Sequence, residues 1–273
     1  SNMAKLIWVS ELFSMAVCPQ KHRLRYVLKL KVPPTEQMVL GAISHSTREM
    51  LFRRERDVLK KVKKKFEVSE IESEYEKLRD EICAYAIAQN AKDLDELQMD
   101  EGEVLNFIKQ DMRLEFVSRA VRVMRVLQTL NLEGSELADF LSPPWKYVEY
   151  KIISKKLKLA GVIDRIERHA NKYYPIELKT GKPPVEDVRF PHKIQIGCYA
   201  LIMEDHFKVP VNFGFIEYTQ LAERRPVLTN DELKDKVLEL RDAILSGKKF
   251  KVSKSKRCES CEFKEVCEVY GVK

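Results

Sequence analysis

Two carboxylates and a lysine lie in one short stretch of strand-type sequence, where they can act together. Glu177 and Lys179 are two residues apart, so on a strand they point to the same face of the sheet. Asp164 lies near the end of the preceding apolar run, and antiparallel pairing of the two runs would bring its carboxylate beside that of Glu177. Converging carboxylates suit a hard divalent cation, and the lysine can stabilise an oxyanion. These residue types therefore predict metal-dependent hydrolysis of a phosphodiester.

A predicted β-hairpin positions these groups. Its strands are the apolar runs Leu157–Ile166 and Tyr173–Leu178, and the polar turn His169–Lys172 joins them. Leu178 alternates with its charged neighbours and is expected to face the core. A Glu-x-Lys pair alone is also typical of a solvent-facing edge strand. The apolar flanks instead indicate strands that enter a core and end at the charged residues.

Two further pairs of residues lie four apart on predicted helices, so the members of each pair share a helix face. In the first pair, Gly41 would let another element approach closely beneath the imidazole of His45. The second pair is Gln195 and Tyr199. Taken alone, His45 is most simply a structural histidine, and plain helix packing explains Gln195 and Tyr199 as well as a functional role does. The remaining histidines are expected to be surface or capping residues: His22, His169, His192 and His206.

The rest of the chain predicts helices around a small sheet. From residue 35 the expected order is helix, three strands, helix and strand, and the strand-like segment 145–153 is the first of the three strands. We interpret residues 50–140 as a helical insertion packed on a catalytic sheet at 145–220. The lysine-rich run 60–65 is more typical of a solvated helix face than of a DNA groove. Capping signals predict helix starts at Ser10, Thr35, Ser69 and Asp100.

Four of the six cysteines gather near the two ends of the sequence: Cys18, Cys258, Cys261 and Cys267. The last three have the spacing C-x2-C-x5-C, and the first lies in a Cys-Pro step. Thiolates at this spacing suit a zinc site and an iron–sulfur site equally, so spacing does not separate the two. A site that joins both segments would close a very long loop and act as a clasp. Cys83 and Cys198 lie in apolar helical stretches and are predicted to be small core residues.

The length, composition and charge of the chain favour a globular protein that could bind an anionic partner. The chain has 273 residues, 44% of them hydrophobic, and a formal net charge of +7, which is compatible with an anionic partner such as nucleic acid. No apolar run approaches the roughly 18 residues of a membrane span, and the sequence lacks a secretory signal pattern. We therefore expect a cytoplasmic protein with no membrane association. Clustered cysteines in such a protein indicate a metal site before disulfides.

The segment 247–273 is basic before its cysteines begin. Lysines such as Lys248, Lys249 and Lys251 could lie against a DNA backbone, and Phe250 or Phe263 could stack on a base. A solubilising basic linker explains the same composition.

Taken in order, the motifs resemble a known family. Gly41-x3-His45, GVID ending at Asp164, Glu177-Leu178-Lys179 and Gln195-x3-Tyr199 resemble the RecB-type branch of the PD-(D/E)XK nucleases. The cysteine spacing is similar to that of the iron–sulfur RecB-like nucleases, and a compact chain without a helicase motor most resembles the CRISPR-associated Cas-four family. The resemblance implies an α/β fold with a restriction-endonuclease-like mixed sheet flanked by helices. It also implies one RecB-like nuclease domain over residues 1–273 with a C-terminal iron–sulfur clasp.

The resemblance also implies roles for individual residues. Mn²⁺ or Mg²⁺ would be held by His45, Asp164, Glu177 and the backbone carbonyl of Leu178, and the nitrogen ligand favours Mn²⁺. Lys179 would orient or activate the attacking water and offset the negative charge that grows in the transition state. Gln195 and Tyr199 would position the DNA or Lys179. A [4Fe-4S] cluster would bind the thiolates of Cys18, Cys258, Cys261 and Cys267, with Zn²⁺ on the same four as the alternative.

The expected function is metal-dependent DNA exonuclease activity on single strands or overhangs. By resemblance, the enzyme would process DNA fragments for CRISPR spacer acquisition beside the CRISPR integrase complex, and homo-oligomerisation stays open. One alternative is a stand-alone RecB-like repair nuclease, which a neighbouring integrase gene would argue against. Another is a non-catalytic iron–sulfur DNA-binding adaptor, which the complete set of Asp164, Glu177 and Lys179 argues against.

Overall fold

The computed structural model describes residues 5–142 and 147–269. Its strands are β1 (Ile7–Trp8), β2 (Val148–Ser154), β3 (Leu159–His169), β4 (Lys172–Lys179), β5 (Phe213–Tyr218) and β6 (Glu223–Leu228). Its helices are α1 (Val9–Val17), α2 (Pro19–His22), α3 (Glu36–Lys61), α4 (Val68–Gln89), α5 (Ala91–Glu96), α6 (Glu101–Leu130), α7 (Gly134–Leu141), α8 (Phe190–Phe207), α9 (Asp231–Leu245) and α10 (Lys264–Val269). A π-helical turn, Arg23–Val27, follows α2, and short 3-10 turns lie at Thr219–Leu221 and Lys256–Cys258.

The strands form one mixed sheet, which confirms the predicted α/β class. β3 pairs antiparallel with β2 on one side and with β4 on the other, and β1 adds a short parallel pairing to the start of β3. β4 pairs parallel with β5, which pairs antiparallel with β6. The predicted hairpin is β3–β4, with Arg165 opposite Ile176. The predicted strand at 145–153 is β2, although its first residues, 145–146, lie outside the described part of the chain.

One hydrophobic core fills the space between the sheet and the helices α1, α8 and α9. Ile7, Leu12 and Ile216 are fully buried there, and so are Ile196 and Cys198 of α8. Burial of apolar side chains at roughly 25 cal/mol per Å² makes this layer the main support of the sheet. The predicted core position of Cys198 is confirmed. β4 ends at Lys179 as expected, whereas β3 continues past Asp164 to His169, so this acid lies inside its strand and not at the strand end.

The helices α3 to α7 have a second core of their own. Ile71 and Tyr75 of α4 and Ile108 of α6 are fully buried in it, and so is Cys83, as predicted. A small third cluster joins this helical part to the sheet, because Phe52 of α3 packs against Val148, Ile176 and Leu178. The expected boundary at residue 50 therefore falls inside a continuous 26-residue helix, which carries both His45 and Phe52.

Two of the four predicted helix caps are wrong. Thr35 and Asp100 cap α3 and α6 through their side-chain oxygens, as predicted. Ser10 lies inside α1, because β1 runs directly into that helix and Trp8 occupies the cap position without a side-chain bond. Ser69 lies inside α4, because the carboxylates of Glu67 and Glu70 form the capping box instead. No helix within residues 5–142 and 147–269 combines the length and apolar character that a membrane crossing requires.

Candidate active site

The hairpin brings the predicted carboxylates together where β3 and β4 extend past their paired residues. Asp164 lies one residue before Arg165, and Glu177 one residue after Ile176, so the register places the two acids across from each other. The backbone amide of Leu178 donates a 2.7 Å hydrogen bond to Asp164 Oδ2. This bond fixes the carboxylate of Asp164 and leaves its second oxygen for another partner.

Glu177 is the centre of a buried hydrogen-bond network. Lys179 Nζ donates to Glu177 Oε1 at 2.7 Å, and Gln195 Nε2 donates to the same oxygen at 3.0 Å. The hydroxyl of Tyr199 lies 2.8 Å from Glu177 Oε2 and 2.9 Å from the carbonyl oxygen of Val162, and it can donate to either. Gln195 and Tyr199 are therefore buried in the helix packing and also hydrogen-bonded to Glu177, because both lie on the face of α8 that is directed at this carboxylate. Burial and the charge of Asp164 raise the pKa of Glu177 despite Lys179.

His45 reaches the same place from α3. Its Nε2 lies 3.1 Å from Asp164 Oδ1 and 3.6 Å from Glu149 Oε1. A Cβ added to Gly41, one turn earlier, would lie 3.5 Å from Thr180 Oγ1 of the residue that follows β4. That distance is an ordinary van der Waals contact, so the predicted close approach that requires a glycine is not found at this position. Among the described residues, one ligand atom each from His45, Glu149 and Asp164 lies within 4.8 Å of the others, close enough to hold a metal ion.

Glu149, the third member of this group, is not part of any motif that the sequence pattern predicted. It lies on β2 between Val148, opposite Arg165, and Tyr150, opposite Ile163, so it faces Asp164 across the strand pair. Its backbone is left-handed, with φ of 50°, a conformation that costs free energy for any residue except glycine. The signal available in the sequence was an acid inside a predicted strand that neighbours the Asp164 strand.

The pKa values of His45 and Glu149 are both raised, and the negative charge of neighbouring carboxylates contributes to each shift. Burial opposes a charged imidazole, but the hydrogen bond to Asp164 and the charges of Asp164, Glu149 and Glu177 raise the pKa of His45 to about 9. Burial and the charge of Asp164 raise the pKa of Glu149 to about 7. Glu149 Oε1 is buried and accepts no hydrogen bond from the described residues. A nitrogen donor, several carboxylates and an orphaned oxygen are a donor set that fits a divalent cation.

The structure thus places the predicted metal ligands in two adjacent groups. His45 and Asp164 belong to the group completed by Glu149. Glu177 is turned toward Lys179 and the two α8 residues, and Leu178 contacts Asp164 through its amide. Two histidines predicted at the surface lie elsewhere. His22 is buried and lies 3.0 Å from Glu11 Oε1, and half-buried His192 stacks on Phe13.

The four end cysteines line a single cavity of about 440 Å³, which we call the cysteine cavity: Cys18, Cys258, Cys261 and Cys267. All four thiols are half-buried. Burial and the proximity of the other three thiols raise the pKa of Cys267. Within the described chain, the thiols do not form a group of three within 4.8 Å of one another. Four sulfurs around one tetrahedral Zn²⁺ would lie about 3.8 Å apart, given a Zn–S distance near 2.3 Å.

Side chains fasten the two end segments together beside the cysteine cavity. Glu262 accepts from Lys21 at 2.9 Å and from Arg25 at 2.6 Å. The guanidinium of Arg25 also lies 5.4 Å from the centre of the Phe263 ring, which is 1% exposed. The prediction that Phe263 stacks on a base is therefore wrong, because its ring is buried in this contact. Phe250 is 39% exposed, beside Lys248.

Comparison with known proteins agrees with the motifs. The sequence profile of the PD-(D/E)XK nuclease superfamily matches residues 9–268. The chain is 29% identical over 133 residues to CRISPR-associated exonuclease Csa1 of Saccharolobus solfataricus, covering 44% of this chain and 43% of that protein. It is 30% identical over 127 residues to CRISPR-associated exonuclease Cas4 of Francisella tularensis subsp. novicida, covering 45% of this chain and 62% of that protein. The chain thus spans about half the length of these curated relatives.

Proposed function

The chain belongs to the PD-(D/E)XK nuclease superfamily, and on this premise we propose that it is a metal-dependent DNA exonuclease acting on single strands or overhangs. The main support for this proposal is the arrangement of two neighbouring groups of side chains. The His45–Glu149–Asp164 group lies beside the Glu177–Lys179 pair, on the neighbouring strands β2, β3 and β4 and the helix α3. Ligands for a divalent cation and a cationic side chain then face one substrate phosphate.

We propose that His45, Glu149 and Asp164 hold Mn²⁺ or Mg²⁺, with Glu177 and the backbone carbonyl of Leu178 completing the set. The orphaned Oε1 of Glu149 supports this, because a buried carboxylate oxygen without a donor is costly unless a cation satisfies it. The cation would supply Lewis acidity at the scissile phosphate and make water a stronger nucleophile at neutral pH.

The other side chains of the site would orient the attacking water, stabilise the transition state and hold Glu177 in place. Lys179 would orient the attacking water and offset the negative charge that grows on the phosphate oxygens in the transition state. Gln195 and Tyr199 would hold Glu177 in place from α8, through the bonds of 3.0 and 2.8 Å. Gln195 Oε1 is buried and has no donor among the described residues, so it is also available to accept a hydrogen bond from substrate.

We propose that the cysteine cavity holds a [4Fe-4S] cluster. All four thiols line one cavity, and a [4Fe-4S] cluster takes one thiolate at each of its four irons, which matches this set of four. Zn²⁺ is the competing occupant. A visible absorption band and iron content from an anaerobic preparation would support the cluster, and a colourless protein with stoichiometric zinc would contradict it.

We propose that residues 1–273 act as one RecB-like nuclease domain, because Phe52 and His45 of the helical part both contact the sheet side of the molecule. The relatives named as CRISPR-associated exonucleases further support a role in trimming DNA fragments for spacer acquisition, beside an integrase complex in the cytoplasm. A stand-alone repair nuclease is the alternative, and co-purification with an integrase would separate the two.

An end-labelling assay tests the proposed exonuclease. Linear single-stranded DNA carrying a 5′ or a 3′ label and a circular single strand of the same sequence are incubated with Mn²⁺ or EDTA. We expect Mn²⁺-dependent shortening of the linear strand and survival of the circle. Cutting of the circle would replace the exonuclease with an endonuclease. Binding without cutting under every condition would favour the adaptor.

A further inference from the structure

An aromatic ring from α1 contacts the candidate catalytic lysine. Lys179 Nζ lies 5.2 Å from the centre of the Phe13 ring, on the same ammonium that donates to Glu177 at 2.7 Å. Only 20% of the Lys179 side chain is exposed. An ammonium at this distance over a phenyl ring is attracted by the ring's negative face, and partial desolvation strengthens that attraction.

The two contacts of Lys179 respond differently to a bound cation. Glu177 Oε1 accepts from both Lys179 and Gln195, and under the proposed function the same carboxylate also serves the cation. A cation on Glu177 would therefore weaken its hold on the ammonium by charge competition. The phenyl ring offers no oxygen to a hard cation, so its contact with Lys179 is independent of cation binding.

A second ring fixes Phe13. The imidazole of His192 on α8 stacks on Phe13 with a centroid distance of 5.9 Å and an angle of 11° between the rings. Burial and the charges of Lys179 and Arg189 lower the pKa of His192 to about 3, so the imidazole is neutral at neutral pH. A neutral imidazole supports the phenyl ring without adding positive charge beside Lys179. Its Nδ1 also lies 3.4 Å from the Tyr218 hydroxyl, which ties it to β5.

We propose that Phe13 is a positioning residue for the nuclease reaction, which keeps the Lys179 ammonium directed at the scissile phosphate when Glu177 serves the cation. This inference rests on the proposed function of the site. The competing role for the ring is direct stacking on a DNA base, and the experiment below separates the two.

The test compares Phe13→Leu, which keeps an apolar side chain of similar size, with Phe13→Tyr, which keeps the ring face. We expect Phe13→Leu to lower the single-turnover rate at saturating Mn²⁺ and DNA by about 3- to 30-fold, with the Kd for DNA within twofold of wild type. Phe13→Tyr should restore most of the rate. Trp8→Leu is the matched control, because it removes another lysine–ring contact of the same 5.2 Å length, that of Lys151, which does not involve Lys179.

A readout that is independent of activity accompanies the rates. The ring current of Phe13 should shift the NMR signals of the Lys179 ε-methylene group upfield. Phe13→Leu should abolish that shift, and Trp8→Leu should preserve it. Loss of the shift with an unchanged cleavage rate would overturn the proposal, and so would an unchanged kcat with weaker DNA binding, which indicates base stacking. If wild type shows no Mn²⁺-dependent cleavage, the proposed function itself fails, whereas normal cleavage in Phe13→Leu overturns only the role of Phe13.

Discussion

The candidate active site and the cysteine cavity differ in how far the protein alone arranges them. In the active site, sheet register and helix packing bring buried side chains into hydrogen-bond contact, as in the 2.7 Å bond from Lys179 to Glu177. In the cysteine cavity the thiols are half-buried and lie on a 3-10 turn, a six-residue helix and loop positions. The folded chain alone therefore sets the geometry of the candidate active site. In the cysteine cavity, the proposed occupant would help to fix the positions of its own ligands.

The same contrast predicts opposite consequences of removing each occupant. Stripping a divalent cation with EDTA should end catalysis and leave the fold intact, because the ligands are already held by β2, β3 and α3. Removing the occupant of the cysteine cavity should weaken the junction between α2 and the C-terminal segment. The ion pairs of Glu262 with Lys21 and Arg25, together with the contact of Arg25 with the Phe263 ring, would then hold that junction.

The largest expected effect is on chemistry at the active site. Lys179→Ala should lower the cleavage rate roughly 10²- to 10³-fold, because a charge that stabilises the transition state is lost. The protein should remain folded, and its affinity for Mn²⁺ should not fall, because Lys179 and the cation compete for Glu177. Lys193→Ala, which removes an exposed lysine paired with Asp187, is the control and should cleave normally. A Lys179→Ala enzyme with full activity would show that the lysine is structural.

The second effect is on stability at the cysteine cavity. Cys261→Ser should lower the iron content and reduce the melting temperature by about 5–10 °C, since loss of a clasp worth a few kcal/mol shifts a protein of this size by that amount. Calorimetry and iron analysis on anaerobic protein measure both. Cys83→Ala removes a thiol from the helical core and should keep its iron. Full iron occupancy in Cys261→Ser would remove that thiol from the ligand set.

Glu149 allows a sharper version of the comparison, because one change should move stability and binding in opposite directions. Glycine accepts the left-handed backbone at this position, so Glu149→Gly should raise the free energy of unfolding by up to about 1 kcal/mol. It should also weaken Mn²⁺ binding several-fold, since a carboxylate is lost. Calorimetric unfolding and Mn²⁺ titration test the two signs. Unchanged Mn²⁺ affinity would exclude Glu149 from the cation site.

The smallest expected effect is at the basic segment beside the cysteine cavity. Replacing Lys248, Lys249 and Lys251 with glutamine should weaken single-stranded DNA binding and reduce the salt slope by about 2, at roughly 0.7 for each phosphate contact. The matched triple change at Lys63, Lys64 and Lys65, which are exposed in the loop that follows α3, should leave the slope unchanged. An equal slope in both triple variants would make the basic segment a solubilising linker.

The strand-borne part of the site could be predicted because a two-residue period fixes which side chains share a face. Asp164, Glu177 and Leu178 follow that rule, and Gln195 and Tyr199 follow the helical one. The role of Glu149 could not be predicted in the same way, because its position depends on pairing between β2 and β3 and on a left-handed backbone that no local pattern signals.

Contacts between distant segments account for the other errors. His192 and Phe13 meet because α1 packs against α8, and Phe263 is buried where the C-terminal segment contacts Arg25. The prediction of helix caps is likewise limited by structure that the local sequence does not show. Thr35 follows a loop and caps its helix as predicted, whereas the cap position before Ser10 is taken by the end of a strand.

The most direct test of the account is the cleavage rate of Asp164→Asn in Mn²⁺, measured on end-labelled single-stranded DNA against wild type. Asp164 is the residue that joins the two halves of the site, since it contacts both His45 and the Leu178 amide. We predict Mn²⁺-dependent cleavage by wild type, none in EDTA, and at least about a 100-fold loss in Asp164→Asn at an unchanged fold. Asp242→Asn, an exposed acid on α9, should cleave normally. Wild-type rates in Asp164→Asn would contradict a metal-dependent nuclease centred on this residue.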